Sequence, residues 1–324
     1  MGTFVLQRLA QGMILCVLTS LLVFFAVYAL GNPVTMLINP ASPPDVITDT
    51  IQRLGLDQPL HVQYWRFVKG ALQGDLGVSY ISSRSALLVI FERLPATLEL
   101  ALTAILIALL IGIPLGLVSG YWPDKISGRV INAVSILGIS LPTFWIGLTL
   151  ITVFAIGQGW FPTGGRGPVG TVLGASSSLF TLQGLRHLVL PALNLSFFPL
   201  AMMIRLTRAG VRETISAPHI RFAKAKGLSP ARILFRYILP SIAIPIITVI
   251  GILFGVLLAY GIVTETVFAW PGIGKLIIDS IKNSDRPVIV AYIMFTVTLF
   301  VFINLAVDLI CAVIDPRISL EEAR

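Results

Sequence analysis

The sequence predicts an all-α protein that crosses a membrane six times. The chain has 324 residues, of which 56% are hydrophobic and 12% are charged, and its mean hydropathy is +0.92. A soluble domain carries roughly 25% charged residues, so a single water-soluble core cannot bury this apolar excess. Six separate runs reach about 20 apolar residues, the length that a helix needs to cross a bilayer. A soluble enzyme and a disordered chain are therefore excluded.

The six predicted spans are separated by segments of very different length. The first span follows Arg8, but it is longer than the apolar part of a signal peptide, and no small-x-small cleavage site follows it. We therefore expect it to remain as a helix. In chain order, the predicted spans are 12–30, about 98–120, 130–156, about 188–204, roughly 241–263 and 288–314.

The distribution of charge predicts the orientation. Thirteen Lys and Arg lie in the 65 residues of segments 1–10, 121–129, 205–240 and 315–324. Only ten lie in the 124 residues of segments 31–99, 157–187 and 264–287. Because positively charged loops stay on the cytoplasmic side, both termini are predicted to be cytoplasmic. The predicted parts are a cytoplasmic N-terminus with the first helix (1–30), an extracytoplasmic cap (31–97), a five-helix core (98–314) and a cytoplasmic tail (315–324).

The predicted cap contains two apolar patterns at helical spacing. Val46, Ile47, Ile51 and Leu54 form the first, and the second has apolar residues at i, i+4 from Leu60 to Leu72. We expect short amphipathic helices that cover the outer ends of the spans or receive a soluble partner. Segment 157–187 is rich in Gly, Ser and Thr and predicts an irregular loop.

Small and polar residues interrupt the spans. The stripe Gly112-x3-Gly116-x3-Gly120, and Gly251 four residues before Gly255, predict close helix packing. Polar residues within or at the ends of spans are few, and each predicts either a pathway position or an interhelical hydrogen bond. They are Glu99, Asn194, Asn304 and Asp308, of which the last two share a helix face.

The segment 205–240 holds eight of the thirteen predicted inner cations. Pro218 can open a short helix, and Gly227 suits the left-handed residue that ends one. Ser229 then predicts a helix N-cap, with Pro230 at the first helical position. The pattern predicts a helix, a glycine turn and a second helix, tethered at both ends to membrane spans.

A basic helix pair of this kind has three interpretations. A nucleic-acid reader is disfavoured, because both ends are tied to spans and no recognition helix is free. A lipid-facing loop that only sets topology is the simplest alternative. The third is a cytoplasmic docking element, with Phe222 as an apolar anchor, through which a force would act on the fourth and fifth spans.

These residues carry a family resemblance. Inner loops of ABC-importer permeases bear the motif E-A-A-x3-G-x9-I-x-L-P, which Ala223, Gly227, Leu239 and Pro240 match, whereas Arg221, Phe222 and Tyr237 depart from it. The run from Arg221 to Leu228 instead resembles R-T-A-R-A-K-G-L of the peptide/nickel branch. Further segments resemble the first permease subunit of that branch in the same order along nearly the whole chain: Leu54–Leu60, Gly74–Gly77, Pro95–Leu100, Glu265–Gly274 and Asp315–Arg317.

The resemblance implies a type I ABC-importer permease in the bacterial cytoplasmic membrane. Such a subunit pairs with a second, similar permease, binds two cytoplasmic ATPases and receives substrate from an extracytoplasmic binding protein. Its implied ATPase-coupling residues are Arg221, Phe222, Ala223, Lys224, Ala225, Lys226, Gly227, Leu228, Ser229 and Pro240. Short peptides are the first expectation for the substrate, and nickel chelates or glutathione are alternatives.

The chain itself is expected to bind no cofactor, with ATP and Mg held by the partners. Segment 269–276 places Gly-Lys as a phosphate loop does, but Ala269 replaces the first glycine and Leu276 the Ser/Thr. We expect no enzymatic activity, since no catalytic serine, metalloprotease or paired-aspartate motif occurs. An ion-coupled secondary transporter is the alternative of another class, although no internal repeat supports it.

Overall fold

The computed structural model describes residues 2–29, 57–172 and 174–314. The predicted cap helix at 46–54, the start of the Leu54–Leu60 motif and the tail 315–324 lie outside the described residues. The α-helices are α1 (Gly2–Ala29), α2 (Leu60–Leu72), α3 (Ala86–Tyr121), α4 (Ile126–Ser140), α5 (Thr143–Leu150), α6 (Leu182–Thr214), α7 (Pro218–Ala225), α8 (Pro230–Ile233), α9 (Leu239–Ser241), α10 (Ala243–Tyr260), α11 (Ile262–Val267), α12 (Ile273–Lys282) and α13 (Arg286–Ile314). Two π-helical segments, Ile151–Gly157 and Leu234–Ile238, continue α5 and α8.

Six segments of the described chain are long and apolar enough to cross a bilayer. Four are single helices, within α1, α3, α6 and α13. Two are bent pairs, one from Ile126 to Gly157 and one from Pro230 to Ala259. The predicted number of six is therefore met when each bent pair counts as one span. Helix α3 begins at Ala86, well before the predicted start near residue 98, so the end of the predicted cap is helical.

The third predicted span is broken rather than continuous. Helix α4 ends at Ser140, Leu141 is extended with φ −83° and ψ 134°, and α5 begins at Thr143. The two halves are bent by 105°. Pro142 explains the break, because its ring disfavours the helical conformation of the preceding residue and it has no N–H to donate.

The chain forms two compact units. Of the described residues, the first comprises 95–172, 174–275 and 303–314. Within it, the glycine stripe of α3 faces α6: a Cβ added to Gly116 would lie 2.5 Å from the Cβ of Thr207, and one added to Gly112 would lie 2.8 Å from that of Met203. A Cβ at Gly251 on α10 would lie 2.0 Å from a methyl group of Val307 on α13. The predicted close packing is thus present at these three glycines.

The second unit comprises residues 2–29, 57–94 and 276–302 of the described chain. Helix α2 confirms the second predicted amphipathic helix, and its Tyr64 contacts α1 through a 2.8 Å hydrogen bond to Ser20 and an edge-on contact with Phe24. The buried Asp285 accepts hydrogen bonds from the Ser79 hydroxyl at 2.5 Å and from the Tyr80 N–H at 3.1 Å. These bonds hold the turn after α2 to the start of α13.

The predicted irregular loop between the third and fourth spans contains regular structure. Strands β1 (Gly170–Val172) and β2 (Ala175–Ser177) form an antiparallel hairpin in which Thr171 faces Ser176. A 3₁₀ turn, Ser178–Phe180, follows, and α6 begins at Leu182. Thr181 caps α6 by accepting a 2.9 Å hydrogen bond from the Gly184 N–H.

Candidate functional site

The basic segment after α6 folds as a helix, a glycine turn and a second helix. Pro218 occupies the first turn of α7, where its missing N–H leaves no donor unpaired. Gly227 has φ +73°, and its N–H donates to the carbonyl of Lys224 at 2.9 Å. No atom lies within 4 Å of a Cβ added there, so the left-handed backbone, and not crowding, favours glycine. Ser229 is at the N-cap of α8, but its side chain makes no capping hydrogen bond.

One face of α7 anchors the helix, and the other carries charge. Ile220 and Ala223 are 0% and 2% exposed. Arg221, Phe222 and Lys224 are exposed, as are Ala225 to Gly227, Ser229 and Pro240, while Leu228 is half-buried. The Phe222 side chain is 63% exposed, and the Lys226 ammonium lies 4.6 Å from its ring centroid. Aromatic residues and arginine are enriched at protein–protein interfaces, so the exposed face with Phe222 and Arg221 is a candidate docking surface.

A second charged segment lies beside α7. The Lys224 ammonium is 5.5 Å from the ring centroid of Tyr121, at the end of α3. Tyr121 stacks edge-on against Trp122 at 4.8 Å, and the Lys125 ammonium lies 5.3 Å from the Trp122 ring. Two segments that charge assigns to the same side therefore meet. Together these residues form what we call the basic surface: Tyr121, Trp122, Lys125, Phe222, Lys224 and Lys226.

Glu99 takes part in a buried ion pair. Its carboxylate accepts a 2.6 Å hydrogen bond from the Arg166 guanidinium and a 3.1 Å bond from the N–H of Ser178. The side chains are 4% exposed for Glu99 and 17% for Arg166. Arg166 also reaches the carbonyl of Ser176 at 3.4 Å. Glu99 thus fastens the hairpin loop to α3, a role that its position in the sequence did not indicate.

A second buried carboxylate organises the start of α12. Glu265, 1% exposed, accepts hydrogen bonds from the Thr97 hydroxyl at 2.6 Å and from the Lys275 N–H at 2.9 Å. Burial raises the pKa of Glu265, and the bonds from Thr97 and from the N–H groups of Lys275 and Gly274 partly offset that rise. A Cβ at Gly272 would lie 2.3 Å from the Glu265 carboxylate, so glycine is required there.

The remaining polar positions lie on two helices, α6 and α13. Asn194 on α6 is completely buried and donates a 2.9 Å hydrogen bond to the Thr264 hydroxyl on α11. Asn304 and Asp308 lie one turn apart on α13, and both are half-buried. Glu99 and Asn194 thus have different partners, so the structure does not combine them into one polar site.

Family models, relatives in sequence and a solved structure all indicate a transport-system membrane component. The family model described as "Binding-protein-dependent transport system inner membrane component" matches residues 112–320, and the model of the N-terminal part of such membrane components matches residues 1–101. Two relatives are permeases of Escherichia coli. The glutathione transport system permease protein GsiC is 37% identical over 319 residues, covering 98% of this chain and 99% of that protein. The probable D,D-dipeptide transport system permease protein DdpB is 38% identical over 330 residues, covering 97% of each.

A solved structure confirms the fold. The MetNI methionine ABC transporter, in an inward-facing conformation, matches with a TM-score of 0.55 at 18% identity, covering 70% of this chain and 97% of that one. The fold is that of a type I ABC-importer permease. The chain belongs to the family of binding-protein-dependent transport system inner membrane components. It is a multi-pass inner membrane protein, the permease subunit of an ABC importer that acts with ATPase and substrate-binding partners.

Proposed function

We propose that this permease imports short peptides. It forms the translocation pathway with a second homologous permease, two cytoplasmic ATPase subunits power it, and an extracytoplasmic binding protein delivers the substrate. ATP and Mg bind to the ATPases, and this chain catalyses no reaction. The names of GsiC and DdpB, which refer to glutathione and D,D-dipeptides, support a peptide substrate, since glutathione is itself a small peptide.

The proposed orientation places both termini and the basic surface in the cytoplasm. The positive-inside rule supports this arrangement, because the segments assigned to the inside have the higher density of Lys and Arg. The contact between Lys224 and Tyr121 supports it further, since it joins two segments that the rule assigns independently to the same side.

The observation that carries the coupling proposal is the exposed Phe222 on a helix whose opposite face is buried. Helix α7 is the coupling helix, and Phe222 inserts into a groove on one ATPase while Arg221, Lys224 and Lys226 pair with acidic residues at its rim. Helix α7 follows α6 closely and is followed at once by α8, and its Ile220 is fully buried. A movement of the docked ATPase is therefore transmitted to the spans on either side.

Uptake in a strain that lacks this permease tests the substrate class. Labelled short peptides and labelled nickel chelates are supplied in parallel, with and without a plasmid that restores the chain. Restored uptake of the peptides supports the proposal. Restored uptake of the nickel chelate alone would assign the same machinery to a different substrate and refute the peptide assignment. Competition by glutathione shows whether the permease also accepts this tripeptide.

A further inference from the structure

A cavity of about 150 Å³ lies at the break between α4 and α5. Residues of α4, α5, α6 and α10 line it, among them Leu141, Thr143, Phe197 and Val256, and its one buried amide is Asn194. The volume is sufficient for several water molecules or for a peptide main-chain unit. Extended backbone at the depth of a membrane occurs where it is buried in protein or lines a cavity, and Leu141 has such a backbone.

Asn194 brings an unused hydrogen-bonding group to this cavity. Its side chain is 0% exposed, its Nδ2 donates to Thr264, and its Oδ1 has no hydrogen-bond partner. A buried acceptor left without a partner is destabilising, because it has lost its hydrogen bonds to water and gained none in the protein. Exchanging the oxygen and nitrogen of the amide does not remove the problem, because Thr264 can satisfy only one end. A buried amide with one unpaired end, at a cavity in a transport protein, indicates a group that meets a transient partner.

The chemistry of the cavity matches a peptide main chain. The Oδ1 of Asn194 can accept one hydrogen bond from an N–H. Thr143 lines the cavity and begins α5, so its backbone N–H precedes the first helical hydrogen bonds, which the Trp145 and Ile146 N–H groups donate to the Pro142 carbonyl. The Thr143 N–H can therefore donate to a carbonyl. A peptide unit offers one N–H and one C=O, whereas the Phe197 and Leu141 side chains supply apolar walls that do not select a side chain.

We propose that Asn194 is a substrate-contacting residue of the translocation pathway, and that its Oδ1 accepts a hydrogen bond from the main-chain N–H of the passing peptide. This inference rests on the proposed function, since it requires a peptide substrate. The break in the third span then has a function beyond packing, because it opens the cavity in which Asn194 contacts the peptide.

The test compares two dipeptides that differ in a single hydrogen-bond donor. Glycylglycine has one peptide N–H, and in glycylsarcosine a methyl group replaces that hydrogen. The complete transporter is reconstituted in liposomes with saturating binding protein, and the ratio of the two initial uptake rates is measured for the wild type, for Asn194→Leu and for Asn194→Leu combined with Thr264→Val. The binding protein is the same throughout, so a change in the ratio reports the permease.

We expect Asn194→Leu to lower the glycylglycine preference about fivefold, the value of one net hydrogen bond. The double variant removes both polar partners, so no unpaired hydroxyl remains and any loss of activity that comes only from a disturbed structure should be restored. We expect its preference for glycylglycine to stay low. If the single variant fails to assemble, the double variant alone provides the test. An unchanged ratio in Asn194→Leu, or a wild-type ratio in the double variant, would overturn the inference. A wild-type transporter that imports neither dipeptide would instead refute the proposed function, and the inference with it.

Discussion

The Thr97 hydroxyl donates a 2.6 Å hydrogen bond to the Glu265 carboxylate, joining two sequence motifs that lie 168 positions apart. The same hydroxyl accepts a 2.8 Å bond from the Ile273 N–H, and the Trp270 indole donates to the Ala96 carbonyl at 2.8 Å. The segments around Pro95 and Glu265, which resemble the peptide/nickel branch, therefore form one buried assembly. Its bonds fix the start of α12 against α3.

The raised pKa of Glu265 predicts a pH-dependent stability. The folded protein holds this proton more tightly than the unfolded chain, whose Glu has a pKa of 4.5. The group's contribution therefore falls as the pH rises from 4.5 through the folded pKa. Glu265→Gln cannot titrate, so the Tm of the wild type minus that of the variant should be larger at pH 5 than at pH 8. A difference that grows with pH would show that the ionised carboxylate is the favoured form.

The ion pair between Arg166 and Glu99 should contribute much more than an exposed pair of the same chemistry. Arg166→Ala leaves Glu99 buried without its counter-charge, which typically destabilises by about 3–5 kcal/mol. The control is Arg84→Ala, whose pair with Glu92 has side chains 47% and 49% exposed and should change the Tm little. Thermal unfolding in detergent measures the Tm of both variants. Equal decreases in Tm would contradict the claim that the Glu99–Arg166 pair holds the hairpin loop to α3.

Removing the exposed aromatic ring of α7 should weaken ATPase binding. Phe222→Ala deletes the proposed anchor, and truncating such an interface residue costs about 2 kcal/mol, roughly 30-fold in affinity. Charge reversal at Arg221 and Lys224 should add to the loss. Phe180→Ala is the control, because that side chain is also exposed, at 45%, but lies in the hairpin loop. Co-purification of the ATPase with the permease measures the effect. If the Phe222→Ala and charge-reversal variants retained the ATPase as the control does, α7 would not be the coupling element.

The turn at Gly227 should tolerate asparagine but not proline. Proline fixes φ near −65°, far from the observed +73°, and has no N–H for the Lys224 carbonyl. Gly227→Pro should therefore abolish coupled transport, whereas Gly227→Asn, which enters the left-handed region most readily among other residues, should retain most of it. Peptide-stimulated ATP hydrolysis by the assembled complex is the measurement. Normal coupling in the proline variant would mean that the turn is not needed.

The features that the sequence predicted are those that depend on neighbouring residues. Apolar runs locate the spans, and the order Pro218, Gly227, Pro230 locates α7, its turn and α8, because each of these residues restricts its own backbone. The glycine stripe of α3 predicted a close contact, although it could not indicate that α6 is the partner.

The features that it did not predict depend on distant residues. Arg166 and Glu99 lie 67 positions apart, and no local pattern shows that they pair. Glu265 appeared only as part of a family motif, because its three donors come from α3 and from the start of α12. Pro142 accounts for the position of the break in the third span, but the 105° bend depends on how the two halves pack, which a single sequence does not show.

Uptake by the reconstituted transporter tests the central claim most directly. Liposomes contain this chain, the second permease and the two ATPases, with ATP enclosed, and receive binding protein and a labelled short peptide. The account predicts accumulation that requires ATP, the binding protein and this chain together. Accumulation by this chain alone, driven by an ion gradient without ATP or any ATPase, would contradict it.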